Sequence, residues 1–376
     1  MRYDIAVIGA GLAGLQASRQ LAARGLSVLL LDRKTSLSKP VHTTGIFVRK
    51  TWEDFPLPAE QLGPPIRDVF LYSPRGRRIA LTAERDEFRI GRMDWLYLSM
   101  LEGCSRAGVR FLPGSRLTTC SRETITIARN NRIETIPVRF VIGADGARSL
   151  VAQQLGLDRN REMLVGIEVI VAARCGPSLH CFLDPRIAPG YIGWVASDGQ
   201  TAHVRVAGYP KRFDPASALE SFRTRVKHLV SPHVIERRGG LIPVSGILRN
   251  IANDRGLLVG DAAGAVSPLT AGGLDGAMRL SSFAAEVAAA YLERNDPAIL
   301  GAYDGARFQA RFIARRWMRM MLGACTHPAV MEAVFSAMRT PAVLALARHI
   351  FFSRGSFPEV SADHLMLARS HSTNAG

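Results

Sequence analysis

The sequence predicts an α/β protein with a parallel-sheet lobe, an antiparallel-sheet lobe and a helical C-terminal segment. Three observations predict it. The first 32 residues run strand, helix, strand; residues 164–209 turn strand-rich with β-branched alternation; and from about residue 298 the pattern is helical, broken at Pro328 and Pro341.

Residues 3–8 read as a short buried strand, 12–24 as a helix with Leu12, Leu15 and Leu21 on its apolar face, and 27–31 as a second strand ending at Asp32. Such a βαβ unit implies parallel strands. Residues 54–87, rich in Pro and Arg, read as loops and short strands that leave the first lobe. A helix over 92–107 precedes strands at 109–112, 116–121, 124–129 and 132–137, then a buried strand at 140–142. Alternation over 165–171 and 202–207 marks antiparallel strands of a substrate-facing lobe, crossed by a helix over 214–230. A buried strand at 256–260 and a long Ala-rich helix over 272–292 return to the first lobe. These readings give a discontinuous first domain (1–55, 90–160 and 250–297), a second domain (56–89 and 161–249) and a basic amphipathic helical region (298–376).

The 376 residues carry 48 Lys+Arg against 32 Asp+Glu, a net charge of +16, which calls for something acidic as a partner. With 47% apolar and 21% charged residues the chain is ordinary for a globular protein. No uncharged apolar run reaches about 18 residues, so no spanning helix is expected, and the glycine-bearing N-terminus does not read as a secretory leader. Five scattered cysteines (Cys104, Cys120, Cys175, Cys181, Cys325) without a Cys-x-x-Cys pair disfavour a disulfide framework and a metal site, and suit a reducing cytoplasm.

Gly9-Ala10-Gly11-Leu12-Ala13-Gly14 sits at the join of strand and helix. The first glycine permits the tight turn, the second lets the backbone approach a pyrophosphate, and the third lets helix and sheet pack closely. The helix N-terminus offers free N–H groups and positive dipole to phosphates. Asp32 lies 18 residues beyond Gly14 at a strand end, where a carboxylate can hold ribose hydroxyls. The fold of this lobe is therefore Rossmann-like and dinucleotide-binding. Two further strand ends resemble each other: Gly143-Ala144-Asp145-Gly146, and Gly260-Asp261-Ala262-Ala263-Gly264 followed by Pro268 and Gly272-Gly273. Each alone reads as an acidic turn beside a core helix.

Taken in this order, the three segments resemble the FAD-dependent oxidoreductases built like para-hydroxybenzoate hydroxylase, over roughly residues 1–300. The run from Gly260 to Gly273 is most similar to the geranylgeranyl reductase branch, since the hydroxylases more often have His where this chain has Gly264. Tyr191-Ile192-Gly193-Trp194 resembles that branch's aromatic substrate segment, with one extra residue between Tyr and Trp. The resemblance implies a Rossmann-like FAD-binding domain of hydroxylase type with an antiparallel-sheet substrate domain. It implies that Gly9, Gly11, Ala13 and Gly14 meet the pyrophosphate and that Asp32 and Arg33 meet the adenosine ribose. It places Arg92 at the start of the second long helix, reaching back to the cofactor, alongside its plainer reading as a solvated residue of a basic loop, and it puts the backbone amide of Leu117 beside the adenine. Asp145 and Gly146 close the mid-chain bend, Asp261 serves the ribityl-pyrophosphate region, and Pro268, Gly272, Gly273 and Leu274 fall beside the flavin. Tyr191 and Trp194 enter the substrate pocket.

Lys39-Pro40-Val41-His42-Thr43-Thr44-Gly45 stands where the branch often carries Cys-x-x-Gly near the flavin, which places Thr44 and Gly45 there. No Cys is present, and His42 is the chemical substitute for a proton donor, alongside its plainer reading as a structural histidine. No second glycine-rich βαβ unit serves NAD(P)H, so NAD(P)H docks transiently or another external donor reduces the flavin.

In the C-terminal region Arg307, Arg311, Arg315, Arg316 and Arg319 recur at helical spacing among Phe308, Phe312, Ile313, Trp317, Met320, Met321 and Leu322, with Ile350-Phe351-Phe352 and Phe357 near the end. Arginines with interleaved aromatics suit an anionic membrane surface, as they suit a docked helix with a solvated basic face. Nucleic acid is not an expected partner, because no recognisable module is present. The leading expectation is an FAD oxidoreductase that reduces C=C bonds of a hydrophobic, isoprenoid-like small molecule, in the cytoplasm and peripheral at the inner face of the membrane. The alternatives are a flavin monooxygenase, a redox-neutral isomerase or cyclase, and a non-catalytic flavin-binding membrane-associated protein.

Overall fold

The computed structural model describes residues 2–38 and 40–352, and Arg311 by its backbone alone. Lys39, Phe357 and the stretch 353–376 of the expected C-terminal region lie outside the described residues. β1 (Tyr3–Ile8), α1 (Leu12–Ala22) and β2 (Val28–Leu31) form the opening βαβ unit, and β1 pairs with β2 in parallel. All four residues of β2 are buried, as a central parallel strand covered on both faces must be. β3 (Ile46–Val48) and α2 (Arg49–Asp54) follow, then β4 (Asp68–Tyr72), β5 (Arg78–Thr82) and β6 (Phe88–Ile90).

After α3 (Met93–Arg106) come β7 (Arg110–Leu112), β8 (Arg116–Cys120), β9 (Thr124–Arg129) and β10 (Arg132–Gly143). Two strands were expected within residues 132–142, and the structure has one. The first half of β10 pairs antiparallel with β9 up to Pro137; from Val138 onward the second half pairs parallel with β1. The chain changes partner there without turning.

α4 (Leu150–Leu155) leads into β11 (Met163–Ala173), β12 (Ser178–Phe182), β13 (Gly193–Ser197), β14 (Thr201–Gly208), α5 (Pro215–Arg225) and β15 (Val230–Pro243). α5 is shorter than the helix expected over 214–230. Asp214 caps it with Pro215 in its first turn, and the chain then re-enters the sheet. β15 was not expected. Its arginines and glycines conceal the apolar alternation, and they suit the edge position it occupies, paired to β11 alone. Last come β16 (Ala252–Asn253), β17 (Gly256–Leu258), α6 (Leu274–Arg294), α7 (Ala306–Ala324), α8 (Pro328–Ala337) and α9 (Pro341–Phe352). Pro328 and Pro341 open α8 and α9, positions that lose no intrahelical hydrogen bond.

Two large sheets result. One runs β16-β17-β10-β1-β2-β7 with β8 and β9 attached; the other runs β15-β11-β14-β13-β12-β4-β5. The second is antiparallel throughout except where β4 pairs in parallel with β12, because β4 and β5 arrive from a distant part of the chain. One face of the second sheet closes with α5 over Val169, Val171, Val195, Val204 and Val206. On the other face an apolar cluster joins Leu71, Leu179 and Cys181 to Phe335 of α8 and Ala347 of α9. The α8 end is pinned by Glu332, whose carboxylate accepts from Arg77 Nη2 at 2.6 Å and Nε at 3.0 Å.

Candidate active site

Gly9 has φ +106°, and a Cβ there would stand 2.3 Å from the Ala144 carbonyl oxygen. At Gly14 a Cβ would meet the Gly9 carbonyl oxygen at 1.8 Å. These two glycines are required by close backbone approach between β1, α1 and the end of β10. Gly11 differs: a Cβ would meet nothing within 4 Å, and as N-cap of α1 it offers no side-chain cap. The N–H groups of the first turn of α1 thus open onto a cavity. Asp32 accepts from Ala10 N at 2.7 Å and Lys34 N at 2.8 Å, which holds the carboxylate at the rim of this turn.

The other two bends meet the first one in space. Asp145 accepts from Leu150 N (2.7 Å), Val151 N (3.1 Å) and Ser149 Oγ (2.6 Å), so it caps α4. Burial raises its pKa, with these donors opposing. Gly260 takes φ +57°, with its missing Cβ 2.9 Å from Ala13 Cβ, and Asp261 follows in a short 3-10 turn. Burial pushes the Asp261 carboxyl up to about 6, opposed by Arg205. Gly273 begins α6 without a side-chain cap, a second open helix N-terminus.

All three bends line one cavity of about 1090 Å³. Beyond them the wall continues over the second sheet through Leu71, Leu179, Cys181, Ile192 and Trp194, and ends on α7–α9 at Met321, Leu322, Val334, Met338 and Leu346. One end is therefore glycine-rich and polar, the other apolar.

The cavity gathers most of the residues singled out by sequence. Gly11, Ala13, Asp32, Arg33, His42, Thr44, Gly45, Asp145, Gly146, Trp194, Asp261, Gly272, Gly273 and Leu274 all line it. Gly9 and Gly14 stand behind its floor as turn-formers. Four further expected residues are not among its lining. Arg92 is exposed, its guanidinium 5.7 Å from the Trp95 ring centroid, which fits its plainer reading as a solvated residue. The Leu117 side chain is buried in the core, whereas the contact implied for it is one of its backbone amide. Pro268 packs on Gly246. Tyr191 is fully buried behind Trp194, edge-on at 6.0 Å, with Arg319 4.4 Å above its ring. Arg319 itself is buried, not part of a solvated basic face.

A family model described as FAD binding domain matches residues 118–316, and one described as lycopene cyclase protein matches residues 4–203. A geranylgeranyl diphosphate reductase of Rhodobacter capsulatus is 30% identical over 322 residues, covering 80% of this chain and 78% of that protein. The chain belongs to the FAD-dependent geranylgeranyl reductase family. A digeranylgeranylglycerophospholipid reductase of Methanococcoides burtonii is 27% identical, covering 78% of this chain and 76% of its own. In fold the chain is similar to a geranylgeranyl bacteriochlorophyll reductase-like protein of Thermoplasma acidophilum (TM-score 0.76, 21% identity, 98% and 96% covered).

As a member of this family the chain is an FAD-dependent oxidoreductase, and its residues fit the coenzyme. Two uncapped helix N-termini, at Gly11 and Gly273, face one cavity, and Gly11 leaves space for an approaching phosphate. Asn160, which the sequence reading missed, ties two of the bends together: its Nδ2 donates to Ala147 O at 3.1 Å and Asp261 O at 2.8 Å.

A second missed group is more polar. Glu168 of β11 is fully buried and accepts from the Thr44 hydroxyl, from His203 Nδ1 at 3.0 Å, and pairs with Arg205 at 3.5 Å. Burial raises its pKa, but His203, Arg205 and Thr44 more than reverse this and bring it down to about 2. The available signal was His203 and Arg205 alternating with valines in 202–207, matched by Glu168 among the valines of 165–171. Among the described residues no cluster of three or more His, Cys, Asp or Glu could hold a metal ion.

Proposed function

We propose that the protein reduces carbon–carbon double bonds of an isoprenoid-like lipid, with NAD(P)H or another external donor as reductant. One observation carries this reading: a single cavity joins the FAD-binding glycine turns to a long apolar channel ending on α7–α9. The names of its relatives support an isoprenoid substrate. Bound FAD supplies hydride transfer. Gly11, Asp32, Asp261 and Gly273 would hold it, Thr44 and Gly45 would stand near the flavin, and Trp194, Leu71 and Leu179 would exclude water from the double bond.

The proton must reach the second carbon. Cys181 lines the apolar wall, but burial pushes its thiol up to about 12, so it holds its proton at neutral pH. His42 lines the polar end, its Nδ1 2.9 Å from the Gly239 carbonyl oxygen. Burial lowers its pKa below the usual 6.5, aided by Lys34, Arg33 and Arg205 and opposed by the Gly239 bond. A His42 donor therefore gives a rate that falls as pH rises through the range below 6.5. The test is anaerobic incubation with dithionite and a prenyl diphosphate. The expected product gains two hydrogens per reduced bond, and a strict need for oxygen would replace this reading with monooxygenation. The lycopene cyclase match supports a second reading, redox-neutral chemistry, whose product keeps the substrate's mass.

The apolar channel opens where Met321 (69% exposed), Val334 and Leu346 both line it and face solvent, next to Trp317 (62%) and Met320. Arg307 and Arg316 are exposed on the same helix. No single described helix is long and apolar enough to cross a membrane; α8 and α9 together have the length and composition but bend by 98°. The reading is a cytoplasmic protein whose α7 face rests on an anionic bilayer at its inner side, so that lipid enters from the apolar phase. Vesicles of anionic phospholipid should pellet the protein at low salt, and the Trp317→Glu, Met321→Glu double variant should stay in solution. Equal pelleting of the two proteins would remove the α7 face from the account.

A further inference from the structure

The face of the second sheet that looks into the cavity carries one charged row across four strands. Cross-strand partners run Trp194 on β13, Arg205 on β14, Glu168 on β11 and Arg238 on β15. The neighbouring positions toward β12 and β4 are apolar, Cys181 and Leu71. Arg205 stands at the boundary. Its guanidinium is 5.5 Å from the Trp194 ring centroid and donates from Nη1 to Thr44 Oγ1 at 3.4 Å, one residue before Gly45.

The sheet makes room for this cation. A Cβ on Gly166 would fall 2.8 Å from Arg205 Nη2 and 3.0 Å from Nε, so the guanidinium lies flat over a glycine. Arg205 is only 5% exposed, and its Nε has no protein partner. Burying an ion pair seldom adds stability over an apolar pair of the same volume. The pair is also oriented: Arg205 lines the cavity, whereas Glu168 lies behind it, gripped by His203 and Thr44. Its positive end faces the coenzyme-binding space, and the field reaches Asp261 and His42 across that space.

We propose that Arg205, positioned by Glu168, tunes the bound flavin by favouring the negative charge it acquires on reduction. Taking up two electrons and one proton from an external donor adds one negative charge, and a fixed cation in a desolvated wall stabilises that charge more than it would in water. Glu168 sets the cation in place and also moderates it. The proposal rests on FAD binding and not on the identity of the substrate.

The test measures the midpoint potential of the FAD-loaded enzyme by dye-coupled reduction with dithionite, without substrate. Arg205→Met and Arg205→Gln should each lower the ratio of affinities for reduced over oxidised flavin about tenfold, equal to about 30 mV for a two-electron couple. Arg205→Lys, which keeps the charge, should stay within about twofold of wild type. Glu168→Gln keeps the shape and removes the opposing charge, so it should raise the ratio. A purely structural role would make Arg205→Lys as damaging as Arg205→Met and would move Glu168→Gln in the same direction. Either result, or an unmoved potential in variants that retain FAD, overturns the proposal. If the neutral Arg205 variants do not hold FAD, the direction of Glu168→Gln decides. Lipid turnover can fail while these shifts appear, which separates this proposal from the substrate reading.

Discussion

Replacing Gly14 with alanine is expected to give a colourless, destabilised protein. The new Cβ would sit 1.8 Å from the Gly9 carbonyl oxygen, so the obstacle is backbone at the turn that holds α1 against β1. Relief requires α1 to move off the sheet, and overpacking of this kind costs about 1–3 kcal/mol or more. Gly11→Ala is the contrasting substitution. Nothing lies within 4 Å of its added methyl, so the fold should melt as wild type. The methyl would still stand where a phosphate approaches the first turn of α1, and FAD affinity should fall about tenfold. Visible flavin absorbance of the purified proteins and their melting curves separate the two effects. Gly14→Ala with a full complement of flavin would contradict the role given to this turn.

Glu168→Ala is expected to have the largest effect on stability of any substitution in the second sheet. It leaves Arg205 buried without its carboxylate, and breaking such a pair costs about 3–5 kcal/mol. His203 and Thr44 lose the same acceptor. The pH dependence follows from the depressed carboxyl. Its folded pKa of about 2 lies below the ordinary value of 4.5, so its contribution is complete above pH 4.5 and is lost as pH falls toward 2. Asp261 works in the opposite sense, since its folded pKa of about 6 lies above 3.8 and its contribution weakens as pH rises between these values. Subtracting the variant's urea stability from that of wild type at each pH cancels Asp261 and isolates Glu168. A difference that stays constant down to about pH 2 would show that the folded carboxyl titrates at its ordinary value, without the lowering that the ion pair confers.

The opening βαβ unit was legible in the chain because each of its parts is local. An apolar run, a glycine turn and an amphipathic helix within 32 residues leave little choice of geometry, and Gly9, Gly11 and Asp32 stand where their spacing placed them. Pro328 and Pro341 marked breaks in the helical stretch for the same reason, and each opens the helix that follows. β15 was illegible, since an edge strand bearing Arg237, Arg238, Gly239 and Gly240 has no apolar alternation to read. Arg92 and Tyr191 show the limit of resemblance. A matching residue type at a matching position does not by itself bring a side chain to the cavity wall, and neither is among its lining residues.

Local chain chemistry settles where the dinucleotide turn lies and which strands and helices carry it, because backbone sterics and hydrophobic period act over a few residues. The row Trp194–Arg205–Glu168–Arg238 came only with the folded sheet. The same is true of the channel that leads from the glycine turns to α7–α9. Both depend on register between strands distant in sequence and on the packing of the last helices over the sheet, and neither leaves a periodic mark in any one segment.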